Sequence, residues 1–409
     1  LDIVDLNCAK GIVGDADVAI SLKLYYTGDT IGITQQESGS MSEPIVFVDR
    51  RNTDCAKWDN LKAMFGEADL QAMWVADMDF KVPACVLEAQ RNYLNMGAQG
   101  YYKVPERYYD AFIAWEKARH GYAVAREHIR FSPGVVAAFN WFIQIMTDPG
   151  DAIIVLTPVY YPFLNAVKGN GRTLVMCDLV KRDGLYTVDL DKFRRDIVEN
   201  NVRAFILSSP HNPVGRVWTE EELKGMLDIC RAHGVFVISD EIHHDIVFAP
   251  AKHIPSATVG DYDANLVTLT APSKTFNLAA CQNSIVIIPD AGIRKRFDAY
   301  TSRLCMQSGN PFGYIAAEAA YTHGLPWLTE VLSIIEGNYR FVKETLAQRL
   351  PRAEVAPLQG TYLLWVDLSA YLAPDEMKAF MQGKCRLAFD YGDWFGGERF
   401  GSCVRMNLA

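Results

Sequence analysis

From about residue 130 the chain alternates short, continuously apolar runs rich in β-branched residues with longer stretches whose apolar positions recur at helical spacing. The runs are Ala152-Ile153-Ile154-Val155-Leu156, Ala204-Phe205-Ile206-Leu207, Val235-Phe236-Val237-Ile238, Leu266 to Thr270 and Ser284 to Ile288. None alternates apolar with polar, so each reads as a strand buried on both faces, and the rhythm of strand and helix predicts parallel βα units. One helix is marked at both ends. Thr219 and Glu222 form a capping box, Leu223, Met226, Leu227 and Cys230 recur at helical spacing, and Gly234 ends the helix. A second, from Val135 to Met146, follows Pro133-Gly134 and begins without bulky polar side chains, which leaves its first backbone N–H groups open to an anion.

After about residue 325 the pattern changes to a helical stretch from Trp327 to Leu350, one more strand from Thr361 to Leu368, and the glycine-rich segment YGDWFGGERFGS. The expected fold class is therefore α/β, with a large domain built on a mostly parallel central sheet flanked by helices, plus a smaller α+β domain. We expect the large domain over residues 85–325, the small one over 326–409, and residues 41–84 as an N-terminal segment that joins the small domain. Residues 1–40 show no sustained period and end in QQESGS before Met41. They read as a leader outside the fold, with Met41 as the natural start. The chain ends at Val404 to Ala409, a strand with no closing helix, which reads as a shortened tail.

Composition narrows the function. Of 409 residues, half are apolar and 22% charged, and the formal net charge of −9 comes with no Lys/Arg cluster, so a nucleic-acid partner is not expected. No apolar run approaches the roughly 20 residues a membrane span needs. The nine cysteines fall singly, with no CxxC pair, and read as small buried apolar residues of a cytoplasmic protein. No metal is expected: His243-His244-Asp245 looks like a cluster on paper, but adjacent histidines on one segment point apart.

Ligands in open α/β sheets bind beyond the carboxyl ends of the strands. Tyr160 follows the first listed run, Asn212 the second, Asp240 and His243 the third, and Lys274 the fourth. Each has an ordinary reading as a core aromatic, a turn amide, a helix cap or a solvated lysine. Together on one rim they match the chemistry of pyridoxal 5′-phosphate. A lysine amine forms a Schiff base with its aldehyde, a carboxylate holds its ring nitrogen protonated, an amide reaches its ring oxygen, an aromatic stacks on the ring, and a helix N-terminus takes the phosphate. Lys274 is the candidate lysine.

The motifs KWD (57–59), MWVADMDF (73–80), GYY (100–102), SPGVV (132–136), TPVYYPF (157–163), SSPHNPVGRVW (208–218), SDEIHHD (239–245) and APSKTFNLA (271–279) occur in order along about nine-tenths of the chain. In these the chain resembles the fold-type I pyridoxal-phosphate enzymes of aminotransferase class I/II, and within them the MalY/PatB group of cystathionine β-lyases. The resemblance implies that Lys274 carries the cofactor and moves the Cα proton. It places Asp240 on the pyridine nitrogen, Asn212 on the ring oxygen with His243 nearby, and Tyr160 on the ring face. The phosphate falls to Gly134, Val135, Val136 and Ser273, with Tyr101 reaching the neighbouring subunit's phosphate in a homodimer, and the substrate α-carboxylate to Arg405. Two positions depart from the family pattern: Gln282 stands where many aminotransferases have an arginine, and Ala280-Cys281 replaces the usual Gly-Leu. The implied reaction is α,β-elimination of L-cystathionine or related cysteine S-conjugates to pyruvate, ammonia and a thiol. An aminotransferase on the same scaffold and a regulatory protein that binds partners through its surface are the alternatives.

Overall fold

The computed structural model describes residues 44–409, so the expectations for the leader and for Met41 lie outside the described residues. The four central apolar runs become the strands Ala152–Thr157, Val202–Ser208, Phe236–Asp240 and Leu266–Thr270, which lie side by side and parallel. The sheet has seven strands, with Thr173–Asp178 at one edge and Ile129–Ser132 at the other. Its register aligns Ile154 with Phe205, Phe205 with Val237 and Val237 with Leu266.

Because successive side chains point to opposite faces, each central strand feeds two separate cores. Ile154, Phe205 and Val237 meet Leu223, Met226 and Leu227 of the helix Glu220–Ala232 on one face. Ile153, Val155, Ile206 and Ile238 meet Phe139, Phe142 and Ile143 of the helix Val135–Met146 on the other. At about 1.5–3 kcal/mol for each large apolar side chain removed from water, this double burial explains why the runs are apolar throughout. The Thr219–Glu222 capping box forms as expected. The edge strand Thr173–Asp178 alternates exposed and buried positions and so showed no apolar run.

One element differs from the expected parallel pattern. Ser284–Ile287 runs antiparallel to both neighbours, Leu266–Thr270 and Ile129–Ser132. A parallel return needs a crossover of a dozen or more residues, usually a helix that traverses the sheet. The link 271–283 instead folds into a short helical turn, Pro272–Thr275, and a 3₁₀ turn, Ala279–Cys281, at the same end of the sheet.

Beyond the long helix Leu325–Arg349, four antiparallel strands form a second sheet in the order Glu354–Val355, Leu363–Asp367, Cys403–Asn407, Asp390–Tyr391. The N-terminal segment is tied to this region: Gln71-Ala72 pairs with Leu387-Ala388. Lys57 also donates to the Ala409 carbonyl at 3.2 Å and pairs with Asp79 at 2.8 Å. Among the described residues no helix is long and apolar enough to cross a membrane. The glycine-rich segment turns tightly at Gly392, where a Cβ would overlap the Phe400 carbonyl and stand 2.9 Å from the Cys403 Cβ. Gly392→Ala is therefore expected to lower stability by ~1–3 kcal/mol, read as a lower denaturant midpoint. An unchanged midpoint would show that the turn relaxes freely.

Candidate active site

The carboxyl ends of the parallel strands open on a cavity of ≈ 180 Å³ lined by Tyr160, Asn212, Asp240, His243, Ser273 and Lys274, together with Gly134, Val135 and Val136 at the start of a helix. Nine residues expected from the sequence thus meet around one space. Asp240 is the last residue of its strand, and its Oδ1 accepts from the Ile242 N–H at 3.1 Å. The Asn212 N–H donates to Ser208 Oγ at 3.3 Å, its carbonyl accepts from the Tyr160 N–H at 3.1 Å, and its Oδ1 accepts from Arg405 at 3.1 Å. Those bonds tie the ends of two strands of the large sheet to the middle of the strand Cys403–Asn407 and so fix the amide. Gly134 caps the helix Val135–Met146 with no side-chain hydrogen bond, so the first N–H groups face the cavity beside Ser273 without an internal competitor.

Lys274 sits in the turn Pro272–Thr275, and its Nζ donates to the Ala76 carbonyl at 2.7 Å. It is only partly covered because it lines the cavity, yet burial pulls its amine down to about 8, opposed by the charges of Asp77 and Asp240. Burial lifts the Asp240 carboxyl to about 7, offset by the Ile242 N–H and by Lys274. Burial, with the charges of Lys274 and Arg405, holds His243 well below its usual range, so the imidazole is neutral. Its Nδ1 is buried without a partner. The site therefore combines an amine that is readily neutral, a carboxyl raised by burial, and a helix end whose first N–H groups are uncapped by a side chain.

Several contributors were missed by sequence reasoning. The Ala76 carbonyl accepts from Lys274 and also from the Tyr362 hydroxyl at 2.8 Å. Its segment is held from three sides: Asn407 Nδ2 donates to the Val75 and Asp77 carbonyls at 2.7 Å, Asn277 Nδ2 to Met78 and Phe80 at 2.8 and 2.9 Å, and Arg50 pairs with Asp77 and Asp79. The motif MWVADMDF works here through its backbone, which no side-chain pattern announces. Asp390 is the second omission. It is paired with Arg405 in the interior, and burial raises its carboxyl to about 6 against the pull of that guanidinium. Gln282 and Asn283 complete the wall.

Two expected residues stand outside the cavity. Arg405 is buried and does not line it; the guanidinium donates to Asn212, to the Trp74 carbonyl at 2.9 Å and to Asp390. Its Nε and Asp390 Oδ1 are buried without hydrogen-bond partners. Tyr101 is fully exposed on this single chain.

A parallel sheet with a lysine, a carboxylate and an amide at its carboxyl edge defines a pyridoxal-phosphate enzyme fold. The chain belongs to the aminotransferase class I and II family, whose model matches residues 74–404. It is 40% identical over 365 residues to cystathionine β-lyase PatB of Bacillus subtilis, covering 88% of this chain and 94% of that one. Among solved structures it is similar to cystalysin from Treponema denticola, which contains pyridoxal 5′-phosphate, at 33% identity and a TM-score of 0.86 over 90% of this chain and 95% of that one. It is also similar to the pyridoxal-phosphate-bound C–S lyase from Staphylococcus hominis, at 34% identity and a TM-score of 0.83 over 88% and 92% of the two chains.

The residues present fit that cofactor, because the free amine, the cation-seeking carboxylate and the open helix N-terminus complement an aldehyde, a pyridinium and a phosphate. Only the neutral amine attacks an aldehyde, and its fraction rises with pH around a value near 8. The rate of cofactor capture by apo-protein should thus increase about fivefold from pH 7 to 8 and less than about twofold from 8 to 9. Stopped-flow absorbance would measure it, and a rate that is flat across this range would contradict the lowered amine.

Proposed function

We propose that this chain is a pyridoxal-phosphate-dependent carbon–sulfur β-lyase that acts on L-cystathionine or related cysteine S-conjugates and releases pyruvate, ammonia and a thiol. The observation that carries the reading is the cavity-lining Lys274 amine, lowered to about 8, sharing one cavity with Asp240 in a chain with a curated relative at 40% identity that is a cystathionine β-lyase. In this assignment Lys274 holds the cofactor, Asp240 faces its ring nitrogen, Asn212 its ring oxygen with His243 alongside, and Tyr160 its ring face. Gly134, Val135, Val136 and Ser273 take the phosphate. When bound, pyridoxal phosphate supplies an electron sink for the pair left on the substrate Cα.

Arg405 takes the substrate α-carboxylate. Its unpartnered Nε supports this, as does a guanidinium fixed in orientation by Asn212 and Trp74. With cofactor and substrate in place, a neutral Lys274 amine near the Ala76 carbonyl would be the base that accepts the Cα proton. The Cβ–S bond then breaks with its electron pair on sulfur, which leaves as a thiolate. Released aminoacrylate hydrolyses in water to pyruvate and ammonia. The neutral His243 and Tyr160, whose hydroxyl is raised by burial, keep the space beside Lys274 free of competing charge.

We also infer a homodimer, in which the exposed Tyr101 reaches the partner's phosphate site. Leu94 and Met96, close to it in sequence, are exposed as well and suit burial by a second copy.

Pyruvate release from L-cystathionine by the reconstituted protein, without any 2-oxo acid, tests the reaction. Sustained release is expected, and Lys274→Ala should lose it by at least about a thousandfold. Turnover that depends on an added 2-oxo acid would make the chain an aminotransferase instead. Sedimentation should give twice the 45.8 kDa chain mass, and a monomer that binds cofactor fully would overturn the shared site.

A further inference from the structure

The turn after Phe236–Asp240 faces two ways. His243 enters the cavity, while His244 points away from it into a buried group formed by Glu116, His120 and Asp245. Glu116 and His120 lie four apart and so share one face of the helix Glu106–His120. Ligand-capable atoms of Glu116, His120 and His244 fall within 4.8 Å of one another. His244 Nε2 is 3.0 Å from Asp245 Oδ2 and 3.4 Å from Glu116 Oε1, and His120 Nε2 is 3.0 Å from Asp245 Oδ1. Glu116, His244 and Asp245 are all at least nine-tenths buried.

The hydrogen bonds around His244 leave its outer nitrogen facing only acceptors. Nδ1 lies 2.6 Å from the Glu241 carbonyl, which only accepts, and 2.8 Å from Thr270 Oγ1, so Nδ1 carries a proton and Nε2 is left facing carboxylate oxygens, a place for a cation or a second proton. Nε2 thus lies against the Asp245 and Glu116 carboxylates, and Glu116 Oε1 is buried without a hydrogen-bond partner. Metal-ligating histidines are oriented in this way, with the second ring nitrogen donating to a backbone carbonyl. Bonds of about 2.0–2.1 Å to a tetrahedral ion place ligand atoms about 3.4 Å apart, close to the separations observed.

We propose that Glu116, His120 and His244 form a structural binding site for a divalent transition-metal ion of the zinc class, with Asp245 orienting the two imidazoles from behind. Two imidazoles with one carboxylate suit such an ion, whereas magnesium and calcium favour oxygen alone. His120, only partly covered, marks the entry side, beside the exposed Arg119, whose Nε lies 3.7 Å from Asp245 Oδ1. The site joins three segments: the helix that carries Glu116 and His120, the turn that follows Asp240, and the Lys274 turn, whose Thr275 Oγ1 donates to Asp245 at 2.9 Å. Trp115 Nε1 donates to the same carboxylate at 3.0 Å. Its role is to fix those segments to one another, independent of which amino-acid substrate the cavity takes.

The test is metal content of the holoenzyme, incubated with zinc chloride and then desalted, by plasma mass spectrometry. About one zinc per chain is expected, with no retention of magnesium, and a higher thermal midpoint than after chelation. The near-isosteric Glu116→Gln and the separate His244→Ala should each retain less than about a fifth of that zinc. Retention of less than about a tenth of an equivalent by the wild type would overturn the site and leave shared protons holding the cluster. Undiminished zinc in folded Glu116→Gln and His244→Ala would also overturn it, by placing the metal elsewhere. Pyruvate release plays no part in this readout, so loss of the lyase reading would leave it standing.

Discussion

An amine, a carboxylate, an imidazole and a guanidinium are buried along one edge of an apolar sheet, and everything around them answers the cost of taking them out of water. Unpaired, such groups are among the most expensive a fold can bury. The Ala76 carbonyl holds Lys274, and Asp390, Asn212 and the Trp74 carbonyl hold Arg405. Ala76 and Trp74 belong to one extended segment, which is why Asn407, Asn277, Arg50 and Lys57 all converge on it or on its carboxylates. The N-terminal region, the final strand and the lysine turn are thereby built as one polar frame.

What remains unsatisfied in that frame is informative. Arg405 Nε, Asp390 Oδ1 and His243 Nδ1 are buried without partners. An anionic substrate group would be a partner of the right kind for Arg405 Nε. The two acids show the same bias: Asp240 is raised to about 7 and Asp390 to about 6, and a bound cation near either would lower it again.

The large sheet was legible because burial on both faces forces continuous apolar runs, and the site was legible because its side chains follow those runs directly. Edge strands escaped for the opposite reason: Thr173–Asp178 is covered on one side only. The reversal at Ser284 was hidden because an apolar run carries no sign of its direction. Ala76 and Asp390 were hidden differently, one acting through a carbonyl and the other through a partner far away in sequence. His244 was set aside with its neighbour because adjacent side chains diverge. They do diverge, and the divergence is what carries one of them to the cluster with Glu116 and His120.

The antiparallel strand has a consequence for chain connectivity. Because Ser284–Ile287 turns back at the end of the sheet it came from, the lysine turn and the wall formed by Gln282, Asn283 and Ser284 are a single uninterrupted stretch. New termini introduced anywhere between 274 and 282 would separate Lys274 from its own enclosure. The exposed hairpin tip at Asp183-Gly184 holds neither, so a circular permutant opened there keeps the whole enclosure covalently intact.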